Sequence, residues 1–426
     1  MRNLSVALFA ALSLAASSSY AGQEFLVESD EASRLALSHM QTRAPFRRHA
    51  IHDTTSFPDR SGSVAMHVVQ FEGGGFVVLS ADRRVSPVLA YSATNTFPVG
   101  SNVVGPVGVN VWLAEHMRRI EGVRAGNTRP RERVVELWDA LALQSTHGSS
   151  SNAISSMDCG PVLISTVGPL MTTLWSQGCG YNLDTPSGCS SNCGHAQTGC
   201  VATAGAQVMR YFRYPTQYSW SSMPSTITGC SGTCSSSSDF VAGTAEVARL
   251  IGDVGGAVSM SYGCDASGAE FSKLQSALVN RFSYKAQYGG YDLNTVKNEH
   301  LAGRPVLHDG FTDQSCFLFW CWANGEGHAW VSDGYEHFTT CSGSLDFLHM
   351  NWGWNGAYNG YYQNFNVDGY NFQYYNSIIY SIYPNPPPLT CADPGGPTCS
   401  GGRVCCDCNV PASCMTASAC KKACNL

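Results

Sequence analysis

The sequence predicts an α+β fold, on three observations. Between residues 160 and 385, helical spacing comes first and alternating or continuous apolar runs follow, the order expected of helices leading into an antiparallel sheet. Residues 22–142 carry their own mixture of helix and hairpin signals without a single cysteine. The nineteen cysteines fall in two later blocks, eleven from Cys159 to Cys341 and eight from Cys391 to Cys424. These shifts divide the chain into a signal peptide (1–21), an N-terminal unit (22–142), a cleavable linker (143–159), a main body (160–385) and a small cysteine-rich C-terminal module (386–426).

At its N-terminus Arg2 precedes an apolar stretch from Leu4 to Ala16, and Ser19-Tyr20-Ala21 offers small residues to a signal peptidase, with cleavage expected after Ala21. No later run reaches the roughly 18 apolar residues of a membrane span. A secreted protein is therefore expected, and cysteines in an exported chain read first as disulfides. The net charge of −6, with no Lys/Arg cluster, argues against nucleic acid as a partner.

In the N-terminal unit, Glu31 to Met40 reads as a short helix and Val109 to Ile120 as a second, carrying Trp112, Leu113 and Met117. Val64 to Phe71 and Phe76 to Ser80 flank Gly73-Gly74-Gly75 and read as a hairpin. The serine-rich strap from Ser145 to Ser156 is polar and exposed to nicking. Such a strap fits a prosegment joined to an enzyme, or an ordinary domain on a linker.

The main body opens with Gly199-Cys200 and a helix with Val201, Ala204, Val208 and Phe212 on one apolar face, ending before Tyr214-Pro215. Ala245 to Val254 and Glu270 to Phe282 follow as helices. Strands are expected at Pro305–His308, His328–Tyr335, Asp346–Asn351, Gly360–Val367 and Ser377–Tyr383, with Asn355-Gly356 as a tight turn. Pro384 to Pro388 forms a stiff linker into the tail, whose eight cysteines compensate for a lack of apolar core.

Eight cysteines can pair among themselves and eleven cannot, which leaves one thiol over in the middle block unless a bridge joins the two blocks or the chain dimerises. Cys200 is the candidate, because a thiol in the first turn of a helix feels the positive end of the peptide dipoles, which favours the nucleophilic thiolate. The alternative is that Cys200 is half of a disulfide, the ordinary state of a cysteine in such a chain. A thiolate nucleophile needs a base, and His328, between glycine-flanked loop and strand, is the candidate among histidines that otherwise sit in loops or strand patterns. Asn351 is placed to orient that imidazole, with Trp352 and Trp354 shielding it. Gln177 is the candidate side-chain donor to an oxyanion, beside the backbone N–H of Cys200. Gly327 and Trp354 border the same cleft as candidate substrate contacts.

Several motifs in this order resemble the streptopain family of papain-like cysteine proteases. They are Gln177-Gly178 with Tyr181-Asn182; Thr198 to Ala204 with Gln207, Met209, Tyr211, Tyr214 and Pro215; Asp253-Val254-Gly255 with Met260, Tyr262 and Gly263; Gly327 to Gly334; and Asn351 to Trp354. The resemblance covers roughly 160–383 and implies a papain-like two-part peptidase domain, a helical part plus an antiparallel sheet. It implies Cys200 as nucleophile, His328 as general base and acid, Gln177 in the oxyanion hole, and Asn351 and Trp352 in the place of the histidine's supporting group. Gly75 to Asp82 and Val88 to Ser92 look like that family's inhibitory prosegment, which implies an α+β zymogen prosegment acting on its own peptidase as an intramolecular inhibitor. Protein or peptide substrates, with an apolar side chain two residues before the cut, are implied in the same way. The extra cysteines Cys179, Cys189 and Cys193, the expanded stretch holding Cys316 and Cys321, and the tail depart from the pattern.

Three rival readings differ in kind. Zinc is one, on Cys189, Cys193 and His195 or on the tail's Cys405, Cys406 and Cys408, although bridges suit an exported chain better and no metal or cofactor is expected. An idle extracellular binding or adhesion protein is the second. Another thiol acyl-transfer enzyme, an amidase or transpeptidase, is the third.

Overall fold

The computed structural model describes residues 23–99, 106–126, 128–147, 159–228, 240–317, 320–363, 377–385, 404–406, 413–416 and 419. The signal segment, the centre of the strap and nearly all of the tail lie outside the described residues, as do the side chains of Cys316 and Cys321.

The organising feature is one antiparallel sheet that runs through both halves of the chain. Four strands, β1 (Ile51–Pro58), β2 (Val64–Phe71), β3 (Phe76–Ser80) and β4 (Val88–Ser92), come from the N-terminal unit. The rest are β5 (Val162–Val167), β6 (Tyr284–Gly290), β7 (Val306–Phe317), β8 (Trp320–Thr340), β9 (Gly343–Asn351), β10 (Gly360–Gln363) and β11 (Ser377–Pro384). Their order is β1-β2-β3-β4-β10-β9-β8-β7-β11-β6, with β5 also on β8. The two halves meet where Tyr91 and Ala90 of β4 pair with Tyr361 and Tyr362 of β10. In the tail, a small hairpin pairs Val404–Cys406 with Ser413–Met415.

Seven helices cover the sheet among the described residues: α1 (Ser29–Arg43), α2 (Val107–Ala125), α3 (Glu132–His147), α4 (Cys200–Phe212), α5 (Thr244–Ala257), α6 (Ser272–Asn280) and α7 (Leu293–Leu301). α1 and α2 are the expected helices, each longer at both ends. α3 was not expected, and it carries helix through His147 into the segment read as linker. The expected hairpin is present with Gly73, Gly74 and Gly75 at positive φ, conformations that favour glycine. Asn355 and Gly356 also have positive φ (57° and 80°), and the Ala357 N–H donates to the Trp354 carbonyl, a turn of the hairpin-type hand. The strand expected at Pro305–His308 is instead the start of a long hairpin, in which Cys316 lies opposite Cys321.

Two of the three cores are shared between the halves. One joins Phe76, Leu89, Trp112 and Ile120 to Trp330, Leu348, Trp352 and Tyr362. Another joins α1 and α3, through Leu35, Met40 and Trp138, to Phe338, Leu345 and Phe347 of β8 and β9. At about 1.5–3 kcal/mol for each large apolar side chain taken from water, these shared cores bind the N-terminal unit firmly. A buried polar knot adds to them: Arg43 and the Tyr91 hydroxyl both donate to Glu336. The third core is that of the helical half, built on α4 to α6.

Candidate active site

α4 is the pivot of the helical half. Its stretch from Val201 to Met209 is buried on every side rather than along one stripe, because α5, α6 and the sheet enclose it. It stops at Phe212, and Arg213 turns left-handed (φ 53°) ahead of Tyr214-Pro215. Gly199 caps its start with φ 84°, and a Cβ there would lie 2.6 Å from Met260 Sδ. Gly199→Ala is therefore expected to cost about 1–2 kcal/mol of stability and to displace Cys200, measurable as a lower denaturation midpoint together with slower thiol labelling.

Among the described cysteines, Cys200 is the free one. Cys159 is bridged to Cys341 and Cys189 to Cys264, while the sulfurs of Cys179 and Cys193 face each other as a third pair. Cys189 and Cys193, two of the ligands a zinc reading required, are thus engaged elsewhere, and His195 turns Nδ1 to the Thr185 carbonyl at 2.8 Å.

The Cys200 sulfur meets backbone N–H groups at Ala329, Val201 and Cys200 itself, which favour thiolate. Burial outweighs them, and the nearby Asp309 carboxylate opposes the negative charge as well, so the thiol is pushed up. The helix start alone does not activate this cysteine in the closed form, contrary to the expectation from its position. Asp309 stands opposite Ala329 in the β7–β8 register, and burial raises its own pKa to about 6. Its place beside the thiol had no local signal in the sequence.

His328 immediately precedes Ala329 on β8 and is buried. Its Nε2–H donates to the Trp352 carbonyl at 3.0 Å, which leaves Nδ1 as the lone-pair nitrogen of the neutral ring. The ring stacks near Trp330 (6.3 Å) and Trp352 (6.5 Å), with Trp354 edge-on at 6.5 Å. Burial lowers its pKa to about 4, so the imidazole is neutral at pH 7. Neither partner of the candidate dyad is charged in this arrangement.

The supporting residues divide. Trp352 holds the imidazole through a main-chain oxygen, invisible to any reading of side chains. Asn351 turns its amide away to other work: Nδ2 donates to the Thr173 carbonyl at 2.7 Å, and Oδ1 accepts from Gln207 Nε2 at 3.4 Å and from the Gly353 N–H at 3.2 Å. Gln177 is anchored beside the helix start, its carbonyl accepting from the Thr198 N–H at 2.9 Å. Trp354 is half-buried, and Gly327 is exposed opposite Phe311, whose ring lies 2.8 Å from where a Cβ on Gly327 would sit. His308 and His349 are hydrogen-bonded strand histidines, to Ser332 (2.6 Å) and Asp333 (2.6 Å).

The N-terminal unit closes this site. Gly108, in the first turn of α2, lies so near the dyad that a Cβ on it would come within 2.6 Å of the Trp352 ring and 2.9 Å of His328 Cδ2. Trp112, one turn further on, donates Nε1–H to the Gln363 carbonyl at 3.3 Å and packs edge-on against Tyr362.

Residues 175–362 match the family model described as Peptidase C10 family. Those residues are the C10 cysteine peptidase region of the chain. Residues 24–120 match a second model, the Spi protease inhibitor, so this C10 cysteine peptidase is a zymogen carrying an inhibitory prosegment. Curated relatives include streptopain of Streptococcus pyogenes, 24% identical over 392 residues that span 81% of this chain and 86% of the relative. The thiol protease/hemagglutinin PrtT of Porphyromonas gingivalis is 27% identical over 316 residues, 68% of this chain but 32% of that longer protein. Among solved structures, a prointerpain A fragment from Prevotella intermedia shares the fold, with a TM-score of 0.54 and 22% identity over 80% of this chain and all of that one.

The C10 zymogen's buried histidines fix how it responds to acid. His39, His116 and His308 are lowered to about 3 and His300 and His328 to about 4, in each case mainly by burial. Each folded value lies below the roughly 6.5 of an unfolded histidine, so below that pH the unfolded chain binds more protons and stability falls. Asp309, raised to about 6, and Glu115, also raised by burial, work in the opposite direction, but they are two groups against these five and His67, which burial lowers as well. The thermal midpoint of the proform is expected to be lower at pH 5 than at pH 7. An unchanged or higher midpoint at pH 5 would refute this.

Proposed function

We propose that this protein is a secreted cysteine endopeptidase that hydrolyses protein or peptide substrates through Cys200 and His328. In this reading 22–142 is the prosegment, 143–159 holds the activation cut and 160–385 is the peptidase. The observation that carries it is an unbridged cysteine, the free one among the described residues, at the start of a buried helix and against the strand residue that follows His328. Bridged cysteines elsewhere support an oxidising, extracellular setting.

The closed site supports a specific route to activity. When α2 leaves, Gly108 no longer covers His328, and water reaches both groups. The burial that pushes the thiol up and the imidazole down is relieved for both at once, so the two pKa values move toward a thiolate–imidazolium pair. Nδ1 of His328 takes the thiol proton while Nε2–H stays on the Trp352 carbonyl. The thiolate attacks the scissile carbonyl, and the oxyanion is held by the Cys200 N–H and the Gln177 amide. His328 then protonates the leaving amine, and water resolves the acyl-enzyme. Asn351 acts by tying the segment that leads to Gln177 against α4 and the 351–355 loop. Gly327 and Trp354 border the substrate channel, which the family resemblance matches to an apolar side chain two residues before the cut.

The test is to treat processed protein with an epoxide thiol inhibitor, map the adduct and assay casein hydrolysis. Labelling at Cys200 with loss of hydrolysis is expected. Labelling of a protein that cleaves no peptide bond would indicate another acyl transfer, and no labelling would indicate an idle binding protein.

A further inference from the structure

Behind the candidate site, between α4 and the segment leading to Gln177, lies a cavity of about 230 Å³ with no role in the mechanism above. Its walls bring together Arg210, Arg213, Tyr211, Gln207, Thr172 and Thr173. Arg210 donates Nη2–H to the Met223 carbonyl at 3.1 Å, but its Nε–H is enclosed without an acceptor. Thr173, on the same wall, has an enclosed hydroxyl that is likewise unpartnered. Among the described residues, no carboxylate makes an ion pair with Arg210 or Arg213. The C-terminal end of α4 accounts for the attraction of cations to this place. It does not account for two guanidinium groups sharing one cavity while an enclosed N–H is left empty, an arrangement costly without an anion.

We propose that this cavity binds a small doubly charged oxyanion, inorganic phosphate or a phosphate monoester, between Arg210 and Arg213 with the Thr173 hydroxyl as a further donor. The donor set favours it: guanidinium groups suit phosphate oxygens, and the threonine hydroxyl completes an acceptor-rich ligand. The cavity is larger than one phosphate, which leaves room for an ester substituent. Occupancy bears on the candidate site, and this part rests on the proposed function. The Thr173 carbonyl is the acceptor for Asn351, and Gln207, on the same wall, also accepts from the Trp175 N–H at 3.4 Å. A bound anion would therefore stiffen the segment that delivers Gln177.

The test uses the full-length Cys200→Ala proform, so that binding is read without reference to activity. Inorganic phosphate, glycerol 2-phosphate and acetate are titrated by calorimetry and by thermal unfolding at constant ionic strength held with chloride. Phosphate is expected to bind with a millimolar or tighter Kd and to raise the unfolding midpoint, with acetate at least about tenfold weaker. Arg213 is exposed, so Arg213→Gln should fold normally and bind phosphate about tenfold or more weakly. Thr173→Val should weaken it by a smaller factor. Tighter binding of glycerol 2-phosphate would identify an ester as the preferred form. No phosphate binding at 50 mM, or binding unchanged in Arg213→Gln, would overturn the proposal.

Discussion

Replacing Cys200 by alanine is expected to abolish casein hydrolysis, a fall of at least about 10⁴-fold, and to leave the purified chain at its full proform length. The size follows from chemistry. Removing the sulfur removes the only described thiol not held in a bridge, and neither the Gln177 amide nor the backbone donors form a covalent bond in its place. The fold should be untouched, because alanine is a good helix former and α4 is already rich in alanine from Val201 to Ala206. Equal thermal midpoints for parent and variant would separate lost chemistry from lost structure. Hydrolysis retained above about one per cent, or continued self-processing of the pure variant, would remove Cys200 from the nucleophile's place.

The parts of the molecule that can be read from the chain are those set by near neighbours. Gly199 and Pro215 bracket α4, Gly73 to Gly75 turn the β2–β3 hairpin, and Asn355-Gly356 turns the loop after Trp354, each through local backbone preferences. Cysteine parity, together with the helix start, singles out Cys200. What joins the two halves is another matter. β4 meets β10 through two residue pairs contributed by strands far apart in sequence, and no periodicity encodes such a partner. α3 was masked by the serine-rich run that follows it. The bond that holds His328 ends on a main-chain carbonyl, so the side chain best suited by type, Asn351, was assigned a task that its actual contacts direct elsewhere. Asp309 carries no local signal, because a carboxylate within a strand has meaning only beside the thiol that the fold brings to it.

Gly108 is the least legible residue of all, since its importance lies in what it touches. Any side chain there meets the Trp352 and His328 rings at less than van der Waals distance, and both rings are packed among other aromatics that cannot give way cheaply. Gly108→Phe should therefore lift the start of α2 off the dyad while β1 to β4 and the α1–Glu336 knot, well removed from that contact, stay docked. The expected outcome is a zymogen that leaks: thiol labelling of the uncut proform faster by about 10²-fold, and a separately added 22–142 segment inhibiting processed enzyme about 10²-fold more weakly than the parent segment. Overpacking of this kind costs about 1–3 kcal/mol at a single site, which corresponds to roughly fivefold to 150-fold in an equilibrium. A paired Trp112→Ala variant tests the same helix from the anchoring side, because it removes the indole buried against Tyr362 without entering the dyad. It should raise labelling of the uncut proform too. If neither substitution changes labelling of the proform, α2 is not the element that keeps this peptidase latent, and the restraint must come from the shared sheet alone.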